Sequence, residues 1–411
     1  MDRNLSARRV AALLITMLAL VSCSSDDGSA SSANASTTST PDAAAPGADG
    51  AGAGGATGMG PTAEGWTKVL APASCRCSDG TPYHYWVRPG DPGKVLFFLA
   101  GGGACFSAET CAAESATYTV NLEGDGGPGD GGIFDPDNEA NPLADHSMVV
   151  VPYCTGDLHL GTTLHDYGGG VEVHHNGYAN ASTALAATAA LFPEATEVVV
   201  AGSSAGSAGA AAYGGAAHDV FPDADIAVIA DASAAYPGTP AITLAIGSLW
   251  GITGSIPLWP ETADLPPEAW SLPGLFVTAS LHHPEIRFAT YNNAFDQVQA
   301  QFSALIGQDG SNLVELIDAN NRWITDQGVD ARHWVAPGTD HAVLGDVQLY
   351  TQEVDGSTPI EGPTASVAFF QSPLQNTSTF WCVLPSLRPP SNMRPARIGS
   401  EPHAVTRIAS L

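Results

Sequence analysis

Residues 197–217 restrict this chain more than any other stretch. Glu197-Val-Val-Val-Ala201 has the character of a buried strand, it passes straight into Gly202-Ser203-Ser204-Ala205-Gly206, and a helical run of small residues follows from Ser207 to Ala217. A strand and a helix meet across so short a turn only if the flanking positions lack a Cβ, and glycines stand at both. A serine in such a G-x-S-x-G turn is held proud of a sheet at the start of a helix. Ser204 is therefore the candidate nucleophile.

Other continuous apolar runs predict strands buried on both faces: Lys94 to Ala100, Ser147 to Tyr153 and, more weakly, Ile226 to Ala230, Ile286 to Thr290 and His333 to Ala336. Helical patterns lie between them over Tyr178 to Phe192, Ala205 to Ala217, Asp296 to Ile306 and Asn312 to Asp326. Alternating strands and helices predict an α/β fold of the α/β-hydrolase kind, a mostly parallel sheet with helices on both faces. Functional groups should then gather at the carboxyl ends of the strands. The stretch Gly124 to Asp137 is rich in Gly and Asp, but its spacing departs from a calcium loop and it reads as a surface loop.

Ester chemistry needs donors aimed at a developing oxyanion. Gly101-Gly102-Gly103-Ala104-Cys105 follows the Lys94 to Ala100 strand, and Gly102, Gly103 and Ala205 are the expected oxyanion-hole donors. It contains no Walker-type lysine, which argues against a phosphate loop. The base should follow the acid in the chain order Ser, Asp, His. His341, in the turn after the last strand, fits best; His333 lies within that strand and His403 in a Pro/Arg-rich tail. Asp296 is the expected acid, because Asp231 comes too early and Asp340 adjoins His341. No cofactor and no metal are expected.

Three blocks, Leu99-Ala-Gly-Gly-Gly-Ala-Cys105-Phe106, Val151-Pro-Tyr-Cys-Thr-Gly-Asp157-Leu-His159-Leu-Gly161 and Gly202-Ser-Ser-Ala-Gly206, together resemble the pectin acetylesterase and Notum family, over roughly residues 66–344. The resemblance implies an α/β-hydrolase core, a Ser204–Asp296–His341 triad, Gly102, Gly103 and Ala205 as oxyanion donors, and removal of an O-acyl group, acetyl in the first instance, from a carbohydrate such as pectin or from lipidated protein. Two positions depart from the family. Ala104 stands where a bulky aromatic is usual and Ala100 where an acid is often found, so the acyl pocket should be reshaped. His159 is either a substrate contact at the same rim or a structural histidine tied to Asp157.

The remaining features bear on location and partners. Arg3, Arg8 and Arg9, the apolar run Val10 to Val21 and Leu20-Val21-Ser22-Cys23 resemble a bacterial lipoprotein signal over residues 1–22, with Cys23 the lipidated residue. Residues 23–61, almost all Ser, Ala, Gly, Thr, Pro and Asp, read as a flexible tether, leaving 62–411 as the catalytic domain of an exported surface or extracellular protein. The formal charge of −28 opposes nucleic acid and anionic membrane, so the membrane is reached through the lipid anchor only. Six further cysteines suggest disulfides. Cys105 with Cys111 is the favoured pair, while Cys75 and Cys77 are each expected to bond elsewhere, with Cys154 and Cys382 available. Trp250, Trp259 and Trp270 are either core residues or an apolar lid, the latter suited to a rival reading as an aliphatic polyester depolymerase. A non-catalytic carbohydrate-binding lipoprotein is the reading from a different class.

Overall fold

A computed structural model describes residues 65–351, so the signal segment, Cys23, the tether, Cys382 and His403 lie outside the described residues. The sheet has eight strands: β1 (Thr67–Leu70), β2 (His84–Arg88), β3 (Asp91–Leu99), β4 (His146–Val151), β7 (Glu197–Ser203), β8 (Asp225–Asp231), β9 (Arg287–Asn293) and β10 (Ala331–Ala336). Their spatial order is β1-β2-β4-β3-β7-β8-β9-β10. β1 and β2 pair antiparallel, as do β2 and β4, and every later pairing is parallel. A separate antiparallel hairpin joins β5 (Thr163–Asp166) to β6 (Glu172–His175). The parallel strands are those whose apolar runs stand out in the sequence; β1, β2, β5 and β6 are short and carry no such signal.

Alternation along β3 shows why the central strands are apolar throughout. Val95, Phe97 and Leu99 face one layer, while Leu96 and Phe98 face the other. Each such buried side chain contributes about 1.5–3 kcal/mol relative to exposure. The first layer is closed by α2 (Gly177–Leu191), α3 (Ala205–Val220) and α5 (Leu272–His282). The second is closed by shorter pieces: the helical turn Gly132–Phe134, the loop carrying Leu143, and the segment from Val343 to α8 (Gln348–Thr351). Between β3 and β4 lies α1 (Ala108–Cys111), between β8 and α5 lies α4 (Pro240–Trp250), and α6 (Gln297–Leu305) and α7 (Leu313–Asp326) separate β9 from β10. No described helix is long and apolar enough to cross a membrane.

Two disulfides stitch loops to this frame. Cys105 is bonded to Cys111, and Cys77 to Cys154, the latter tying the loop before β2 to the end of β4. The expectation that Cys75 also bonds to another cysteine is corrected among the described residues, where its thiol is free and buried against α2, with Sγ 3.3 Å from Thr183 Oγ1. In the Gly124–Asp137 loop, Asp125 is engaged by protein donors, accepting from Trp86 Nε1 at 2.8 Å and lying 2.6 Å from His84 Nε2.

Candidate active site

Ser204 sits between β7 and α3 with φ 54° and ψ −119°, a strained conformation for a residue with a side chain. The glycines around it are required sterically. A Cβ on Gly206 would lie 2.0 Å from the Leu99 carbonyl oxygen, and one on Gly202 would lie 2.5 Å from the Gly206 carbonyl carbon. The turn is held from below by Ser204 N, which donates to the Asp231 backbone carbonyl at 2.7 Å.

The structure brings Ser204, His341 and Asp296 into one line of hydrogen bonds. His341 Nε2 is 2.7 Å from Ser204 Oγ, and His341 Nδ1 is 2.7 Å from Asp296 Oδ2. Asp296 is fully buried and caps α6: its Oδ1 accepts from the backbone of Val298 at 2.8 Å and Gln299 at 3.0 Å, and Gln299 Nε2 donates to Oδ2 at 3.1 Å. These bonds aim Oδ2 at the imidazole. β9 runs to Asn293, three residues beyond its expected end, so Asp296 emerges close to the strand's carboxyl end. His333 points elsewhere, with Nδ1 2.9 Å from Thr290 Oγ1, and the Asp340 carbonyl accepts from Asn293 Nδ2 at 2.8 Å.

Gly103 and Ala205 line a cavity that opens beside Ser204. Ala205 is the first residue of α3, whose N–H has no acceptor within the helix. The position of Gly102 takes no side chain, because a Cβ there would meet Tyr153 Cδ1 at 2.6 Å. His159 is buried and stands behind this loop, with Nε2 2.9 Å from the Ala100 carbonyl oxygen and its ring tilted against Tyr153. Burial pushes its pKa down to about 4, which keeps it neutral and lets Nε2–H donate to that carbonyl. The bond to Asp157 runs through the His159 backbone N–H, at 3.2 Å, and not through the ring.

One residue that braces the site escaped the sequence reading. Asp231 Oδ2 accepts from Val343 N at 2.7 Å, Leu344 N at 2.9 Å and Ser203 Oγ at 3.2 Å. Set aside as an acid partner, it instead clamps the turn that carries His341 to the serine's own turn. Burial raises its pKa to about 6. Its position at the carboxyl end of the strand beside the one that leads into Ser204 was the available signal.

The cavity measures about 110 Å³ and its wall is apolar, formed by Phe106 and Leu158, by Ile242, Ile246 and Trp250 from α4, and by Trp270, Leu272, Phe302 and Ile306. Trp250, Trp259 and Trp270 are all buried; the first and last border the cavity, whereas Trp259 packs on α3 at Gly215. Trp250 Nε1 donates to the Cys105 carbonyl at 2.7 Å, linking α4 to the disulfide loop.

Residues 66–236 match the model of the pectinacetylesterase family. A Danio rerio protein described as an inactive palmitoleoyl-protein carboxylesterase, notum1b, is 33% identical over 101 residues, covering 23% of this chain and 73% of that protein. The palmitoleoyl-protein carboxylesterase NOTUM of Schmidtea mediterranea is 30% identical over 141 residues, covering 33% of this chain but only 27% of its own length. The solved structure of the Wnt deacylase Notum from Drosophila superposes with a TM-score of 0.52 at 19% identity, covering 74% of this chain and 91% of that one, and shares the fold. The chain belongs to the pectin acetylesterase and Notum family of carboxylesterases.

Proposed function

We propose that this protein is a serine esterase that cleaves an O-acyl ester through Ser204, His341 and Asp296. The observation that carries the reading is the unbroken line from Asp296 Oδ2 through His341 to Ser204 Oγ at the mouth of an apolar cavity. Because one relative is described as inactive, family membership alone does not decide activity, and this geometry is the stronger support. His341 Nε2 takes the Ser204 proton as Oγ attacks the ester carbonyl, and Asp296 holds the imidazole tautomer and steadies the imidazolium. The tetrahedral oxyanion is held by N–H groups of Ala205, Gly102 and Gly103. His341 returns the proton to the leaving alcohol, and a water repeats the sequence on the acyl-enzyme.

The apolar wall favours an acyl chain longer than the acetyl group expected from the sequence. An acetyl methyl would fill only a small part of the cavity of about 110 Å³ that Ile246, Trp250 and Phe302 help to line. The alcohol side is a carbohydrate or protein hydroxyl, and the two disulfides support a site of action outside the reducing cytoplasm. On para-nitrophenyl esters, kcat/KM should rise about fourfold per methylene beyond acetyl, the equivalent of about 0.8 kcal/mol per buried CH₂, until the cavity is full. A maximum at acetate would return the reading to an acetylesterase. Ser204→Ala should lose several orders of magnitude in kcat and all labelling by a fluorophosphonate probe, with its melting temperature preserved. Retained activity in that variant would overturn the mechanism.

A further inference from the structure

At the far end of α3 from Ser204, two helix C-termini converge on a cluster of metal-ligating side chains. His218 and Asp219 occupy the last turn of α3, and His282 is the last residue of α5. One ligand atom from each lies within 4.8 Å of the other two. His282 Nε2 is already 2.8 Å from Asp219 Oδ1. We propose that His218, Asp219 and His282 form a binding site for a divalent transition metal ion of the zinc class.

The cluster differs from a chance meeting of polar side chains because two of its ligands are oriented by further contacts. His282 Nδ1 lies 3.0 Å from Glu261 Oε2, so Nδ1–H can donate there while Nε2, which now faces Asp219 Oδ1, turns its lone pair to an ion held between them, the arrangement usual for metal-bound histidines. Trp259 Nε1 donates to Asp219 Oδ2 at 2.9 Å, leaving Oδ1 directed at the cluster. The Trp259 indole also stacks on the His282 ring, with centroids 4.3 Å apart and planes 6° from parallel. Ligand atoms on a tetrahedral ion stand about 3.3 Å apart, given metal–nitrogen distances near 2.0–2.1 Å. The ring of the half-buried His218 now lies against His283 with a nitrogen within 4.8 Å of the other two ligand atoms, so reaching that separation needs a shift of no more than about 1.5 Å. Two imidazoles and one carboxylate suit zinc better than the all-oxygen preference of calcium or magnesium. The negative ends of two helix dipoles and the chain's charge of −28 favour a cation there.

The helix rise puts this cluster about 20 Å from Ser204. Its role is therefore to brace α3 against α5 and the Trp259 to Glu261 loop, not to act on substrate. The test uses the untagged full chain, stripped with a chelator and titrated with Zn²⁺ or Co²⁺. One ion per chain, the visible spectrum of four-coordinate cobalt and a Zn²⁺-dependent rise of several degrees in melting temperature are expected. His218→Ala, which breaks no described hydrogen bond, and Asp219→Asn, which can still accept from Trp259, should both abolish that rise. Glu261→Gln should weaken Zn²⁺ binding about 10- to 100-fold. Ester turnover should be unchanged by chelation and in His218→Ala. A melting temperature indifferent to Zn²⁺, or an equal rise in wild type and both ligand variants, would overturn the site whatever the fate of the esterase reading.

Discussion

Around Ser204 the backbone is positioned by exclusion, and around His341 it is positioned by attraction. The serine turn is fixed because Gly202 and Gly206 bring backbone against backbone at distances no side chain permits. The histidine turn meets such a contact only at its far end, where a Cβ on Gly132 would lie 2.1 Å from the Leu344 carbonyl oxygen, and around His341 itself hydrogen bonds do the holding. It is tied by Val343 N and Leu344 N to Asp231, by Asn293 Nδ2 to the Asp340 carbonyl, and by Phe295 N to the Gly338 carbonyl at 3.0 Å. A steric constraint fails abruptly, because the obstructing atom is main chain. A hydrogen-bonded constraint fails in proportion to the bonds removed.

Gly206→Ala should therefore have the largest effect of the substitutions that spare the reacting groups. Its new Cβ displaces the Leu99 and Ala100 carbonyls and with them the oxyanion loop, costing about 1–3 kcal/mol of stability and about 100-fold or more in kcat/KM. Near-normal turnover in a folded Gly206→Ala protein would break the comparison at its first term. Asp231→Ala should come next. Two buried N–H groups lose their acceptor, at about 1–3 kcal/mol each, and kcat should fall about 10- to 100-fold with KM little changed. Asp231→Asn retains an oxygen for both and should recover most of kcat, whereas Asp231→Leu, which fills the space without an acceptor, should not.

The smallest effect is a difference in pH response. The Asp231 pKa is raised to about 6 by burial, so its contribution to stability is fully present below its unfolded value near 4 and is lost as pH rises through about 6. His159, lowered to about 4 by burial, behaves oppositely: its contribution is present above about 6.5 and is lost as pH falls through about 4. The two regions thus respond in opposite directions over the same interval. Melting temperatures measured from pH 4 to 7 should show Asp231→Asn gaining on wild type as pH rises. A constant gap between them would remove Asp231 from the balance.

The same contrast explains what was legible in the sequence. The serine turn was readable because steric demands leave glycines at fixed spacing, and the fully buried strands were readable because both faces require apolar side chains. Asp296 and His341 were expected from chain order and position after a strand, and they lie within hydrogen-bond distance of each other. Asp231 was passed over because a clamp made by one carboxylate to two distant backbone N–H groups leaves no local pattern. The apolar wall was hidden for a similar reason: Phe106, Ile246 and Phe302 lie far apart in sequence and share a surface only after folding. Cys75 was misread because spacing does not reveal that α2 buries its thiol.

The helix behind Ser204 has a consequence for how the molecule assembles. Four of its residues, Gly206, Gly209, Gly214 and Gly215, are glycines, each lowering intrinsic helix stability by about 1 kcal/mol relative to alanine. Each also allows a neighbour to come close: Leu99, Leu158, Val228 and Trp259 all approach to where a Cβ would stand. A peptide of residues 205–220 should accordingly show little helix by circular dichroism. In the whole chain the segment becomes helical only when the layers around it close, so Ser204 acquires its geometry in the same cooperative step that completes the core, and partly folded chains would carry an inert serine.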